Sequence, residues 1–238
     1  MTNDNVRYRF KFSKGDNVKF IGHLDLVVAF QRALKRAEIP IAYSNGFNPH
    51  QLVAFALPLS LGYTSTGEYG DFQLPYEADA CEMKQKINAV LPDGMYISEL
   101  VKLRSGVKNT MASVCAASYS IFFDYDITPN DIEVNLEKYL GQESIFVMKK
   151  TKNNTKETDI RPDIISAEND SVNNNGIIKV LVNAGSIKNL KPDLVAESFC
   201  GYINKEYNKY KVSYRRNDMF MKDAEGQLIS LIDGVGEY

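Results

Sequence analysis

The 238-residue chain carries only two histidines, His23 and His50, and three cysteines, Cys81, Cys115 and Cys200. The cysteines are odd in number and far apart, with no CxxC pair and no Cys/His cluster at ligand spacing. Neither a zinc nor an iron–sulfur site is expected within the chain, and no cofactor is predicted. No run of about 18 apolar residues is present, so no transmembrane helix is expected. The N-terminal stretch MTNDNVRYRFKFSKGD lacks an apolar signal core, which points to a cytoplasmic protein with reduced thiols and no membrane partner. A net charge of −2 and a pI near 5.8 argue against indiscriminate nucleic-acid binding. A hydrophobic content of 44% and a charged content of 24% are ordinary for a globular chain.

The small net charge hides an uneven distribution. Residues 1–50 hold eight basic residues against four acids, and residues 51–100 hold two against seven. Local basic clusters recur at Lys149–Lys152 and Lys209–Arg216. Each is read as solvated surface unless folding brings several of them together.

Hydrophobic periodicity predicts an α+β fold of two tandem ferredoxin-like (βαββαβ) modules, residues 1–106 and 112–238. Val6, Tyr8, Phe10 and Phe12 alternate with Arg7, Arg9 and Lys11, the pattern of a half-buried strand. A helix is expected from His23 to Glu38, burying Leu26, Val27, Phe30, Ala33, Leu34 and Ala37, and Pro40 ends it. Strands at 41–43, 52–57 and 68–74, a helix at 78–90 and a strand at 96–103 complete the first module. After a polar connector at 104–114 the pattern restarts. Strands are expected at 119–125, 144–150, 159–165, 177–183 and 211–216, with helices at 129–140 and 192–207. The tail from Asp223 is read as extended, with few core residues. No residue-level repeat relates the halves. The alternative architecture is one α+β domain with a single larger sheet.

Polar residues suited to chemistry concentrate between positions 20 and 71. His23 falls in the first turn of the first helix. There it can cap or pack the turn, or bind a phosphate together with the free N–H groups beside Gly22. Arg32, Lys35 and Arg36 share one helix face at i, i+3, i+4 spacing. Tyr43, Ser44, Asn45, Gly46, Phe47, Asn48, Pro49 and His50 form a turn: Gly46 permits positive φ, Asn48 suits an Asx-type turn and Pro49 fixes φ. A turn needs only some of these residues. Tyr43, Asn45, Phe47, Asn48 and His50 together make a recognition surface, with rings to stack on bases and amides or imidazole to read edges or phosphates. The glycine-bounded segment 62–69 lacks the GKS/T ending of a phosphate loop and reads as a strand connection bordering the same site. Asp159 and Arg161, two apart, would share a strand face. They are read either as a surface ion pair or as a guanidinium presented to phosphate or carboxylate.

His23-Leu24-Asp25, the basic run from Arg32 to Arg36, Pro40–Ser44 and Gly46-Phe47-Asn48-Pro49-His50 together resemble the radical-SAM-associated proteins built on the DUF2344 domain. The likeness is close over about fifty residues, weaker but colinear elsewhere, and returns at Lys156–Pro162. Gly22 stands where the family usually has serine, so a side-chain N-cap is lost. A radical-SAM enzyme needs three closely spaced cysteines, which this chain lacks. The resemblance therefore implies a non-catalytic accessory or substrate-binding protein for a radical-SAM, cobalamin-binding partner. RNA is the expected substrate class, because tandem ferredoxin-like modules are also the plan of CRISPR repeat-processing proteins. Two alternatives stand beside it. One is a metal-independent ribonuclease using His23 or His50, Tyr43, and Arg32 or Lys35. The other is a structural or small-molecule-binding module. His23 and His50 are expected to border one concave surface.

Overall fold

Backbone and side-chain placement come from a computed structural model that describes residues 5–124, 126–150 and 155–237. Two compact units emerge. Unit 1 comprises residues 1–114 and 218–238, and unit 2 residues 115–217. The division differs from the expected one because the C-terminal segment returns to the first unit.

In unit 1, β1 (Val6–Lys14) is followed by α1 (His23–Arg36), β2 (Val53–Phe55), β3 (Thr64–Leu74), α2 (Ala80–Asn88) and β4 (Met95–Lys102). β1 lies antiparallel between β4 and β3, and β2 pairs antiparallel with β3, so the order is β4-β1-β3-β2. The even residues of β1 face the helices as the alternation predicts. Tyr8, Phe10 and Phe12 join Phe30, Phe55 and Phe72 in an aromatic core whose Phe12–Phe30 and Phe10–Phe30 ring centroids lie 4.7 and 5.2 Å apart. Gly70 is required here, since a Cβ would sit 2.4 Å from Cζ of Phe10. α1 buries Leu26, Phe30, Ala33 and Leu34. It ends where Glu38 turns left-handed (φ 53°) and Ile39 N–H returns to Leu34 C=O, two residues before Pro40. The segment 41–43 is not a strand of its own: Tyr43 forms one isolated bridge with Gln51.

The opposite face of β1 departs from expectation. Arg9 was placed toward solvent by alternation, yet its side chain is 0% exposed. Its guanidinium donates to both carboxylate oxygens of Asp71 (2.8 and 3.2 Å), to Leu231 O and to Lys108 O (each 2.8 Å). Asp71 also accepts from Thr110 N–H, at the start of α3 (Thr110–Ser113), whose N-cap is Asn109. The connector at 104–114 and the C-terminal segment thus cover this face.

That segment is not the core-poor tail the sequence suggests. β5 (Ala116–Phe123) through β9 belong to unit 2. β10 (Val212–Lys222) begins in unit 2 and finishes in unit 1, where it pairs with β11 (Leu228–Ser230). Leu231, Ile232 and Val235 beyond it are buried. Tyr69 donates its hydroxyl to Asp218 and lies 2.6 Å from Ser230 Oγ, while Lys11 pairs with Asp218 at 2.9 Å. Burial first, and the Asp218 carboxylate second, push the Tyr69 phenol far above its usual pKa. It stays protonated and serves as a fastener.

In unit 2, β5 is followed by α4 (Pro129–Leu140), the hairpin β6 (Phe146–Lys150) and β7 (Thr155–Asp159), then β8 (Ile164–Asn169), β9 (Gly176–Asn183), α5 (Pro192–Tyr202) and β10. The sheet order is β10-β5-β9-β8, and β6 pairs only with β7 in a separate two-stranded sheet. α4 has the predicted bounds because Thr128 and Asp131 form a capping box around Pro129. Asp159 and Arg161 do not share a strand face, as β7 ends at Asp159 and a 3-10 turn follows at Arg161–Asp163. The chain is therefore α+β. Among the described residues no helix is long and apolar enough to cross a membrane.

Candidate functional site

α1 starts at His23 behind Gly22, which offers no side-chain cap. The half-buried imidazole stands edge-on to Phe55, with centroids 6.1 Å apart at 88°. It lines a small cavity with Phe12, Lys14, Leu26, Phe55 and Glu68. Lys14, with 2% of its surface exposed, donates from Nζ to Ile21 O (2.8 Å) and Lys19 O (3.1 Å). It pins the loop that delivers the helix start. Burial lowers its pKa, and the nearby Glu68 carboxylate works against that shift. Glu68 is buried as well. Neither residue was singled out from the sequence as functional, although a signal existed. Lys14 continues the inward phase Tyr8, Phe10, Phe12, and Glu68 the phase Phe72, Leu74, so each is a charge at a core position.

The second feature is the turn at 44–50. Ser44 N–H donates to His50 O (2.9 Å) and His50 N–H to Ser44 Oγ (3.1 Å), while Ser44 Oγ and His50 Nδ1 lie 2.8 Å apart. This clamp closes the loop and engages the imidazole through Nδ1. Gly46 adopts φ 124°, where a side chain would be strained. Phe47 is fully exposed and Tyr43 is 54% exposed. Asn45 and Asn48 are exposed, and among the described residues their side chains form no hydrogen bond, so the expected Asx turn is absent. Gln51 Nε2 donates to Gln31 O (3.4 Å), tying the end of the turn to α1.

His50 lines a cavity of about 280 Å³ with Arg7, Gln51, Asp71, Gln73 and Asn109. That lining shares no residue with the His23 cavity. His23 and His50 thus line different cavities, which adjoin along β2. Phe55 of β2 belongs to the first, and Val53 and Ala54 to the second.

Arg32, Lys35 and Arg36 lie exposed on α1, and Arg36 donates to Val90 O (2.7 Å). Asp159 and Arg161 belong to unit 2 and serve its backbone. Asp159 Oδ1 accepts from Ile145 N–H (2.8 Å) and Arg161 N–H (3.0 Å), while Arg161 donates to Leu140 O (2.7 Å) and Ile164 O (3.1 Å). The basic run 209–216 also disperses, with Arg216 buried over the Tyr119 ring and Lys209 over that of Tyr210. Of the run 149–152, Thr151 and Lys152 lie outside the described residues. Among the described residues no group of three or more His, Cys, Asp or Glu is placed to hold a metal ion.

No curated protein matches the sequence. Solved structures similar to the chain include an archaeal box H/ACA sRNP Nop10–Cbf5 complex, at 8% identity over 88% of this chain and 46% of that one, with TM-score 0.43. A Cbf5–Nop10–Gar1 complex matches at 9% identity over 91% and 50%, with TM-score 0.47. An unknown protein from Galdieria sulphuraria matches at 12% identity over 91% and 99%, with TM-score 0.25. The chain spans half or less of the first two, and likenesses this slight establish no shared function. Residues 7–192 match the family described as uncharacterized protein conserved in bacteria, and the chain belongs to that family, DUF2344.

Proposed function

We propose that the protein is a non-catalytic accessory that binds RNA and presents it to a radical-SAM, cobalamin-binding partner enzyme. The observation that carries the reading is the 44–50 turn. Its backbone is closed by Ser44 and His50, and among the described residues the exposed side chains of Tyr43, Asn45, Phe47 and Asn48 form no hydrogen bond. Phe47, fully exposed on a loop closed by Ser44 and His50, offers a ring on which bases of single-stranded RNA can stack. The basic face of α1, tied to this turn through Gln51 and Gln31, suits phosphates. We further propose that each unit is a ferredoxin-like module, the second carrying the β6-β7 hairpin as an insertion. The orders β4-β1-β3-β2 and β10-β5-β9-β8 support this, because both place the first strand between the fourth and third of a βαββαβ run.

The test is co-purification with a radical-SAM, cobalamin-binding protein, followed by sequencing of bound RNA. His50→Ala is expected to melt like the parent, because His50 is exposed, and to slow the partner's reaction by misplacing the substrate. The isolated protein should leave RNA intact with or without divalent metal. Cleavage that His50→Ala abolishes would establish a ribonuclease instead, and a partner complex free of RNA would leave only a scaffold.

A further inference from the structure

We propose that the exposed face of α1 docks against the same face of a second copy of this chain, forming a weak antiparallel dimer. The inference goes beyond the RNA reading and does not require it. Leu24 and Val28, neighbours on one helix face, are both exposed, Leu24 to 79%. Phe20, 75% exposed, stands just before the helix. Leu61, also exposed, adjoins it: Gly62 N–H donates to Lys19 O (3.0 Å), and a Cβ on Gly62 would lie 3.6 Å from the Phe20 ring. Large apolar side chains thus gather at the N-terminal end of a solvent-facing stripe, where single exposed residues would need no explanation. The stripe continues through the exposed Arg32 and Lys35.

The charges of the stripe decide what covers it. Asp25 and Arg32 are seven residues, or two turns, apart and so flank the stripe on the same side. They stand ~10 Å apart along the axis, too far to pair with each other. No acid lies three or four residues from Arg32 and no base at that spacing from Asp25, and among the described residues neither side chain has an ion pair or hydrogen bond. A second copy laid antiparallel, with the two-fold axis passing between Val28 and Ala29, brings Asp25 of each copy opposite Arg32 of the other. Two ion pairs then close by symmetry. The same axis sets Val28 against its counterpart and lays Leu24 over the aliphatic stems of Arg32 and Lys35 of the second copy. A parallel arrangement would set Asp25 against Asp25. An anionic lipid surface is disfavoured by Asp25 within the patch and by the acidic excess of residues 51–100, which include Leu61. One helix pair with its flanking residues buries less than the ~1,200 Å² at which stable complexes begin, so the dimer dissociates readily. Arg32 and Lys35 cannot serve a second copy and phosphates together, so RNA held through α1 releases the dimer.

The experiment is sedimentation velocity of the full chain from about 10 μM to about 1 mM, with thermal melting to check that each variant is folded. The expected result is a concentration-dependent dimer, weakened about tenfold in Asp25→Arg and in Arg32→Asp, since each turns two attractive pairs repulsive. Mixing the two single variants should restore the dimer, and so should the double variant Asp25→Arg/Arg32→Asp, because both re-pair the charges. Leu24→Glu should weaken it without such rescue. A monomer at every concentration, or a dimer that the single variants leave unchanged, would overturn the proposal and leave the RNA reading standing. A monomer that instead binds phosphatidylcholine–phosphatidylserine vesicles through Leu24 would overturn it in favour of a membrane surface. Added oligouridylate should shift the parent toward monomer, and binding that leaves the dimer intact would overturn the shared use of α1. If no oligonucleotide binds while the charge-swap series holds, the RNA reading falls and the dimer stands.

Discussion

Asp71→Ala should be among the most damaging single substitutions in unit 1. The carboxylate accepts from Arg9 Nε at 2.8 Å, Arg9 Nη2 at 3.2 Å, Thr110 N at 2.9 Å and Arg7 Nη2 at 3.4 Å. Removing it leaves Arg9 at 0% exposure with only the Leu231 and Lys108 carbonyls as partners. Breaking one side of a buried ion pair typically costs about 3–5 kcal/mol, because the stranded charge cannot regain water. Against a total stability of about 5–15 kcal/mol, that is a fifth or more. Urea unfolding followed by circular dichroism and fluorescence measures it, and coincident transitions license the conversion. The double variant Arg9→Met/Asp71→Leu should recover much of the loss, since it strands no charge. Hydrogen exchange at the 231–233 amides should quicken in Asp71→Ala, and at least as much in the double variant, which removes the Arg9 that holds Leu231 O. A loss below about 1 kcal/mol would mean that the pair behaves as an exposed salt bridge and would refute the reasoning.

In unit 2, Gly176→Ala should destabilise by about 1–3 kcal/mol or more, because its Cβ would lie 2.5 Å from Ile127 O, whereas Gly201→Ala in α5 meets nothing within 4 Å and should stabilise by about 0.5–1 kcal/mol; thermal melting compares them. Burial alone would raise the Asp131 carboxyl, but the Lys205 ammonium (2.7 Å) and the Thr128 donors outweigh it and hold the pKa low. A depressed folded pKa contributes stability above the unfolded value, about 3.9, and loses it as pH falls through the folded one. Asp131→Asn should thus be less stable than the parent at pH 7, with the gap closing in acid. Replacing Arg32, Lys35 and Arg36 together by Ala should weaken RNA binding for all sequences alike. Because Arg36 is already engaged by Val90 O, the salt slope should drop by nearer two contacts than three, at about 0.7 per contact. An unchanged slope would remove α1 from the interface.

Local chemistry was legible wherever one residue type dictates one backbone outcome. The period-two apolar phase of β1, the helical stripe of α1, the Thr128–Pro129–Asp131 start of α4 and the positive φ of Gly46 are all consequences of sterics and short-range hydrogen bonding. Each was therefore readable from a few neighbouring letters. The aromatic turn at 43–50 was readable for the same reason. What covers a strand's second face is a long-range matter. Arg9 has the same alternation as any solvent-facing arginine, and only residues about 60 to 220 positions away, Asp71, Lys108 and Leu231, turn it into a buried anchor. The tail shows the same dependence, since Leu231, Ile232 and Val235 are too few to carry a period yet find a surface to cover. Asp159 and Arg161 are engaged by backbone groups at Ile145, Leu140 and Ile164, contacts that no local pattern encodes. The composition of the proposed recognition residues was thus determined by sequence. Which cavity each of His23 and His50 lines was decided by strand pairing, which no local pattern encodes.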